Sequence, residues 1–310
     1  MALTAFTNLP PTPKGSRCMS RASPLLGALR RLFLISSPPL LFRLQHYKLH
    51  STHGTHRYWA RPNHPKTFNE HIIARKLDQS YRRLSAFVDK AQVKGFVASR
   101  VSRRHLIPTY GVYQSLSAVR DAELAMPCVV KPTHMSGEVL FAFGEDELNT
   151  PGAARTINRW LRTNHYFMTG EPQYRDIPPR IIVEPFIGRE GQAPRDFKFF
   201  CWNGEPRLLQ VDSDRFNDHR RDFFDMDLHR VPIRLRYRNS ESPPTLPTRL
   251  DMMVDICRKL SSDFSFVRVD LYETPETVYF GELTFHPESG NGPFGDYASD
   301  RRLGEFFAAQ

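Results

Sequence analysis

Two stretches, Val267-Arg268-Val269-Asp270-Leu271 and Tyr279-Phe280-Gly281-Glu282-Leu283-Thr284, carry the residues best suited to chemistry. Period-two alternation puts Arg268 and Asp270 on one face of a strand. If the two stretches pair as a hairpin, Asp270 and Glu282 converge on one cation. Two carboxylates on a rigid sheet suit Mg²⁺, which takes few protein ligands and leaves the rest to water and phosphate oxygens. Arg268 then points at the same phosphates, where a fixed guanidinium stabilises charge on a transferring phosphoryl group. An ordinary cross-strand charge cluster on a solvated sheet face has the same pattern.

Further candidates repeat the theme. Lys131 closes the apolar run Pro127-Cys128-Val129-Val130 and precedes the loop Thr133-His134-Met135-Ser136-Gly137, an arrangement like a phosphate cradle of one ammonium and several backbone N–H groups. Asp196 and Lys198 alternate onto one face of another strand, with Lys198 suited to phosphate and Asp196 to a ribose hydroxyl. Asp212-Ser213-Asp214 is an Asp-x-Asp after an apolar run, as in metal-dependent glycosyltransferases, but no nucleotide-binding βαβ start precedes it. The twelve histidines are dispersed, and His286 stands alone near the carboxylates.

The elements that must position these residues follow from periodicity. Thr67-Phe68-Asn69-Glu70 reads as a capped helix start. A helix is expected over Leu84–Val101, with Phe87, Val93, Phe96 and Val97 on one face and Lys90 and Lys94 on another. Another is expected over Ala153–Asn164. Strands are expected at Ile181–Glu184, Phe197–Trp202, Leu208–Asp212, Phe266–Leu271 and Val278–Leu283, with an amphipathic helix at Leu250–Leu260. Asn203-Gly204 is a hairpin signal. Helices first and antiparallel strands later give an α+β class.

The chain has 310 residues, enough for two or three subdomains, and a net charge of +10 that favours anionic partners. No zinc finger, RNP-type motif or unbroken basic tract points to nucleic acid. Four cysteines without Cys-x-x-Cys spacing suit a reducing cytosol. Residues 1–23, rich in Pro, Ser and Thr, read as a disordered tail. Residues 24–65 open on a basic, apolar segment, Pro24–Leu44, too short and too interrupted to span a bilayer. It suits either the inner face of a cytoplasmic membrane or packing on the body of the protein.

From Lys66 onward the chain resembles the TupA-like branch of the ATP-grasp superfamily, associated with teichuronopeptide and other cell-surface polysaccharide biosynthesis. The resemblance is carried by KTFNEHI (66–72), VDKAQVKGFV (88–97), LIPTYGV (106–112), VVKPTHMSG (129–137), PPRIIVEPFI (178–187), DFKFFCWNGEPRLLQVDSDRF (196–216), FVRVDLY (266–272) and YFGELTFHPESG (279–290). It implies an N-terminal helix-rich domain over 66–128 and two α+β subdomains, 129–187 and 188–310, that clamp ATP. It implies ATP binding by Lys90, Lys131, Ser136, Gly137, Asp196 and Lys198, with adenine read at Glu184, Pro185, Phe186 and Ile187. Arg268 and Lys198 take catalytic roles, Asp270 and Glu282 hold Mg²⁺, and Arg215, Ser289 and Gly290 lie towards the acceptor. The implied activity is ligation of a carboxylate to an amine or hydroxyl through an acyl phosphate, on a surface polysaccharide or its precursor.

Three positions depart from the family pattern. Met135 stands where a glycine allows close backbone approach, Thr284 where an Asn ligates a second metal, and Glu288 where glycine is common. The competing expectation is a glycosyltransferase using Asp212 and Asp214; a third is a nucleotide-binding scaffold without turnover.

Overall fold

The computed structural model describes residues 24–52, 57–189, 193–214 and 218–308. Its centre is a six-stranded antiparallel sheet in the order β10-β9-β5-β6-β7-β8. The strands are β5 (Arg195–Trp202), β6 (Glu205–Ser213), β7 (Arg220–Phe224), β8 (Arg230–Val231), β9 (Phe266–Glu273) and β10 (Val278–Thr284). Alternation sorts the two faces. Phe197, Phe199, Leu209, Val211, Val267, Val269 and Leu271 build one continuous core with Met253, Ile256, Cys257 and Leu260 of the helix Leu250–Ser261. The opposite face carries the charges at one end and, at the other, a second core of Phe200, Trp202, Leu208, Phe223 and Phe266 packed on Phe68. Between β5 and β6, Asn203 (φ 51°) and Gly204 (φ 82°) make the expected turn, in which both central residues take positive φ.

A second, four-stranded antiparallel sheet has the order β1-β4-β2-β3. It comprises β1 (Gly111–Tyr113), β2 (Cys128–Pro132), β3 (Leu140–Ala142) and β4 (Ile181–Pro185). Cys128, Val130, Ile181 and Val183 pack against Ile157 and Trp160 of the helix Pro151–Leu161, which begins and ends earlier than its periodicity suggests. The class is α+β, as the pattern implies.

The expected helix over Leu84–Val101 is broken. Its pieces are Ser85–Val88 and Val93–Arg100, separated at Asp89, which is extended (φ −70°, ψ 116°) and fully buried. Asp89 Oδ1 accepts the backbone N–H groups of Ala91 and Gln92, a local alternative to the helical ladder. Arg180 holds the other oxygen at 2.9 Å. The break matters because Lys90 lies in it.

The helix starting at Phe68 has its capping box: Thr67 accepts the Glu70 N–H, and Glu70 accepts the N–H of Thr67. Upstream lie α1 (Pro24–Ser36) and α2 (Pro38–Thr52). Leu34 and Phe42 pack on the body with Ala60, Ile73 and Tyr166, so part of the segment is core. The tail expected over residues 1–23 lies outside the described residues.

Candidate functional site

Strand register assembles the charges. Lys198 on β5 lies opposite Asp270 on β9, and Asp270 lies opposite Glu282 on β10. Arg268, two residues from Asp270, faces Thr284. A β-bulge at Gly281 makes this possible. Phe280 pairs with Leu271, yet Glu282 pairs with Asp270, so one residue of β10 is skipped. In unbroken register Glu282 would oppose Val269 and point into the core. A side chain is crowded at the skipped position: a Cβ on Gly281 would lie 3.0 Å from the Asp270 carbonyl oxygen and 3.1 Å from the Tyr272 ring.

The row is densely paired. Asp270 accepts from Arg268 at 2.6 and 2.7 Å and from Lys198 at 2.7 Å. Lys198 also donates to Asp196. Arg268 reaches Glu282 at 3.4 Å and the Thr284 hydroxyl at 3.1 Å, and that hydroxyl donates to Glu282 at 3.0 Å. Burial pushes the Glu282 carboxyl up, but Lys90, Arg268 and Lys198 outweigh burial and hold it below its ordinary value. Burial alone would lower Arg268; the neighbouring Asp270 and Glu282 raise it instead.

Across from this row, the small sheet contributes a second cluster. Glu184 is buried between Lys94 and Lys131, whose Nζ is 2.9 Å away. Lys94 and Lys131 overcome burial and hold the Glu184 carboxyl down. Lys90 is tied to the 133–137 loop at both ends. Its backbone N–H donates to the Thr133 carbonyl at 3.1 Å, and its Nζ donates to the Met135 carbonyl. Burial lowers the Lys90 ammonium, Glu282 raises it and Lys131 lowers it further, so Lys90 feels both clusters. Met135 itself turns inward, 2% exposed, into the core of the small sheet. Within that loop Gly137 takes φ +76° with open space around it, and Ser136 lies beside the buried Tyr174. The hinge segment is partly used in holding the sheet. The Phe186 N–H donates to the Pro127 carbonyl at 3.1 Å, and its ring meets Phe141 and Phe143 edge-on. Pro185 ends β4 and Ile187 follows it.

The loop after β10 winds through three left-handed residues, Glu288 (φ 49°), Ser289 (φ 55°) and Gly290 (φ 68°). Two of the three are not glycine, a strained arrangement that its surroundings must hold. Lys76 donates to the Ser289 carbonyl at 3.0 Å and hydroxyl at 2.9 Å. Glu288 accepts from Arg221 at 2.7 Å and Arg236 at 2.8 Å. Burial raises the Glu288 carboxyl, but those two guanidiniums hold it down to about 2. Sequence reasoning missed Lys76, Arg221 and the Glu171–Gln173 pair below this loop, because nothing local marks them. His286 is a core histidine: 2% exposed, its Nδ1 accepts from Gln173 Nε2 at 2.9 Å. Arg215 lies outside the described residues.

Asp212 and Asp214 do not form a metal site. The Asp212 side chain, 1% exposed, is paired with Arg221 at 2.7 and 3.2 Å and bonded by Gln210 at 3.1 and 3.0 Å. Asp214 is exposed beyond the strand end at φ 50°. Among the described residues, the one group of three side chains able to enclose a metal is Asp225, Asp227 and His229, an exposed turn elsewhere.

Comparison with solved structures gives several ATP-grasp ligases at low similarity. PsnB, complexed with a phosphomimetic variant of its minimal precursor, Mg and ADP, is 12% identical over 73% of this chain and 60% of that one, with a TM-score of 0.40. L-amino acid ligase from Bacillus licheniformis is 16% identical over 66% and 44%, with a TM-score of 0.38. D-alanine-D-alanine ligase from Helicobacter pylori is 16% identical over 72% and 58%, with a TM-score of 0.41. The chain thus spans less than two thirds of each. No curated protein matches the sequence. The TupA-like ATPgrasp family matches residues 70–308, a span holding both sheets and every charge cluster described above, and the chain belongs to that family.

Proposed function

We propose that this protein is an ATP- and Mg²⁺-dependent ligase that joins a carboxylate to an amine, or to a hydroxyl, through an acyl phosphate. The observation that carries the proposal is the row Lys198–Asp270–Glu282 with Arg268 beside it, facing Lys90 and Lys131 across the gap between the sheets. Residues 129–187 and 188–310 then act as the two subdomains holding ATP. Cations on both sides suit a triphosphate. Lys90, Lys131 and Lys198 bind its phosphates, with Ser136 and Gly137 covering them. Glu184 to Ile187 lie at the adenine and Asp196 at the ribose.

Asp270 and Glu282 offer hard carboxylate oxygens, the donor chemistry that fits Mg²⁺, which when bound neutralises phosphate charge. Both oxygens of Asp270 are now bonded by Arg268 and Lys198, so a cation there exchanges with one of them. The Thr284 hydroxyl is engaged with Arg268 and Glu282, which favours one cation over two. The substrate carboxylate attacks the γ-phosphate, ADP leaves, and the acceptor displaces phosphate from the acyl carbon. Arg268 stabilises charge on the transferring group by being fixed in advance between Asp270 and Thr284. Ser289, Gly290 and Arg215 lie on the acceptor side. A surface polysaccharide or its precursor as acceptor rests on the family alone.

The test is a thermal-shift series with ATP, UDP-sugars and Mg²⁺, followed by ADP release on Asp270→Asn and Asp212→Asn. A melting rise with ATP and Mg²⁺ is expected, because a ligand of the native state stabilises by mass action. Loss of turnover in Asp270→Asn with a smaller effect in Asp212→Asn completes the case. A response to UDP-sugars without ATP, or the reverse ranking of variants, sinks it.

A further inference from the structure

The net charge of +10 is not spread over the chain. Ten of its 43 Lys and Arg, and none of its 33 Asp and Glu, fall within residues 1–69; Glu70 is the first acid. The remainder carries 33 of each sign, so the whole excess resides in the N-terminal segment.

That segment also wears its apolar residues outward. On α2, Phe42, His46 and His50 recur at four-residue spacing and are buried at 1%, 0% and 1%. Leu40, Leu44 and Tyr47 form the opposite stripe and are exposed at 42%, 47% and 42%. The inner stripe of this helix is therefore largely imidazole, and the outer one is hydrocarbon and phenol. On α1, Leu34 alone of the large apolar residues whose side chains are described is buried; Leu29, Leu32, Phe33 and Ile35 are exposed, Ile35 at 72%. Trp59 is exposed too, and its ring lies 6.3 Å from that of Tyr47. Arg31 and Lys48 are exposed among these residues, and Arg43 is half-buried. Elsewhere the large exposed hydrophobics are scattered: Tyr110, Val112 and Met252. No helix among the described residues is long and apolar enough to cross a membrane.

We propose that α1 and α2 form a docking face for an anionic lipid bilayer, lying in the plane of its headgroups. Three observations select that occupant. The face joins hydrocarbon to basic charge without any acid, as a surface-lying amphipathic helix requires. Its aromatic pair, Tyr47 and Trp59, is of the type enriched at headgroup depth. Arg31, Arg43 and Lys48 lie on α1 and α2, and the whole charge excess of the chain falls in residues 1–69 around them; each Lys or Arg near an anionic surface strengthens binding by about fivefold. An acidic protein surface would match the charge, but it would not fill eight outward hydrocarbon and aromatic side chains.

The full chain is sedimented with vesicles of phosphatidylcholine containing or lacking one third phosphatidylglycerol. Binding to the anionic vesicles is expected, weakening on removal of phosphatidylglycerol and on addition of salt. Leu32→Glu with Ile35→Glu is expected to reduce binding at least tenfold, and Arg31→Gln with Lys48→Gln by a similar factor. Both variants should keep the wild-type circular-dichroism melt, since Leu32 and Ile35 are exposed and Arg31 and Lys48 lie on the surface. Equal binding by wild type and both variants overturns the proposal, as does absence of binding to either vesicle. Self-association seen by light scattering and abolished by Leu32→Glu with Ile35→Glu, without vesicle binding, also overturns it and assigns the face to a second copy of the chain.

Discussion

The two sheets present cations to the same gap in different ways. In the large sheet, each charged residue sits on a strand and owes its neighbours to register: Lys198, Asp270 and Glu282 are successive rungs. In the small sheet only Lys131 and Glu184 sit on strands, and they meet diagonally. Lys90 and Lys94 come from a broken helix, and the 133–137 loop is anchored beneath by His134, which donates to the Trp160 and Thr163 carbonyls. A register-built site is stiff and depends on one bulge. A loop-built site depends on several unrelated anchors and has room to close on a nucleotide.

The sharpest way to break this contrast is Asp270→Asn, which removes the middle rung. Turnover is expected to fall at least about 100-fold, with a lower melting temperature because Arg268 and Lys198 lose their shared partner. Gly281→Ala comes next. It removes no charged group, yet its Cβ would meet the Asp270 carbonyl at 3.0 Å. A fall in kcat of about tenfold, as for a small misplacement of the reacting geometry, is expected with little change in the KM for ATP. Equal activity to wild type would show that the bulge does not set the site.

Glu184→Gln tests the other sheet. Lys94 and Lys131 are left without their carboxylate in a partly buried place, at a cost of about 3 kcal/mol in urea denaturation, and the KM for ATP is expected to rise more than kcat falls. The smallest effect concerns pH. Glu288 is held down to about 2 by Arg221 and Arg236, below its ordinary value of 4.5. A depressed acid stabilises fully above its unfolded value and loses that contribution as pH falls through the folded one. Stability should therefore drop between about pH 4.5 and 2 by roughly 2 kcal/mol, and Glu288→Gln should flatten that part of the profile.

Much of the large sheet was legible in the sequence because alternation survives without context. Asp196, Lys198, Arg268 and Asp270 fall on one face wherever their strands go. The facing of Glu282 was legible only in part. The pattern allowed convergence with Asp270, but strict pairing would have sent Glu282 inward, and the glycine before it was the clue. Asp89 broke a helix that its periodic neighbours predicted, because a carboxylate capping the amides of Ala91 and Gln92 competes with the ladder. The pairing of Asp212 with Arg221 was illegible in the Asp-x-Asp pattern, since β7 supplies the arginine from nine residues away. Met135 looked like an obstruction in a phosphate loop, whereas its side chain is spent on the core below.

The skipped residue in β10 also fixes what changes of length this hairpin tolerates. Everything from Glu282 to Thr284 is one step out of phase with the start of the strand. Deleting Gly281 would remove the bulge yet keep Glu282 opposite Asp270, Leu283 opposite Val269 and Thr284 opposite Arg268, because it is the residue the register already skips. A strand shorter by that one residue is a regular ladder with the same side chains on each face, whereas losing a residue from 282–284 would shift the charged side chains off their rungs.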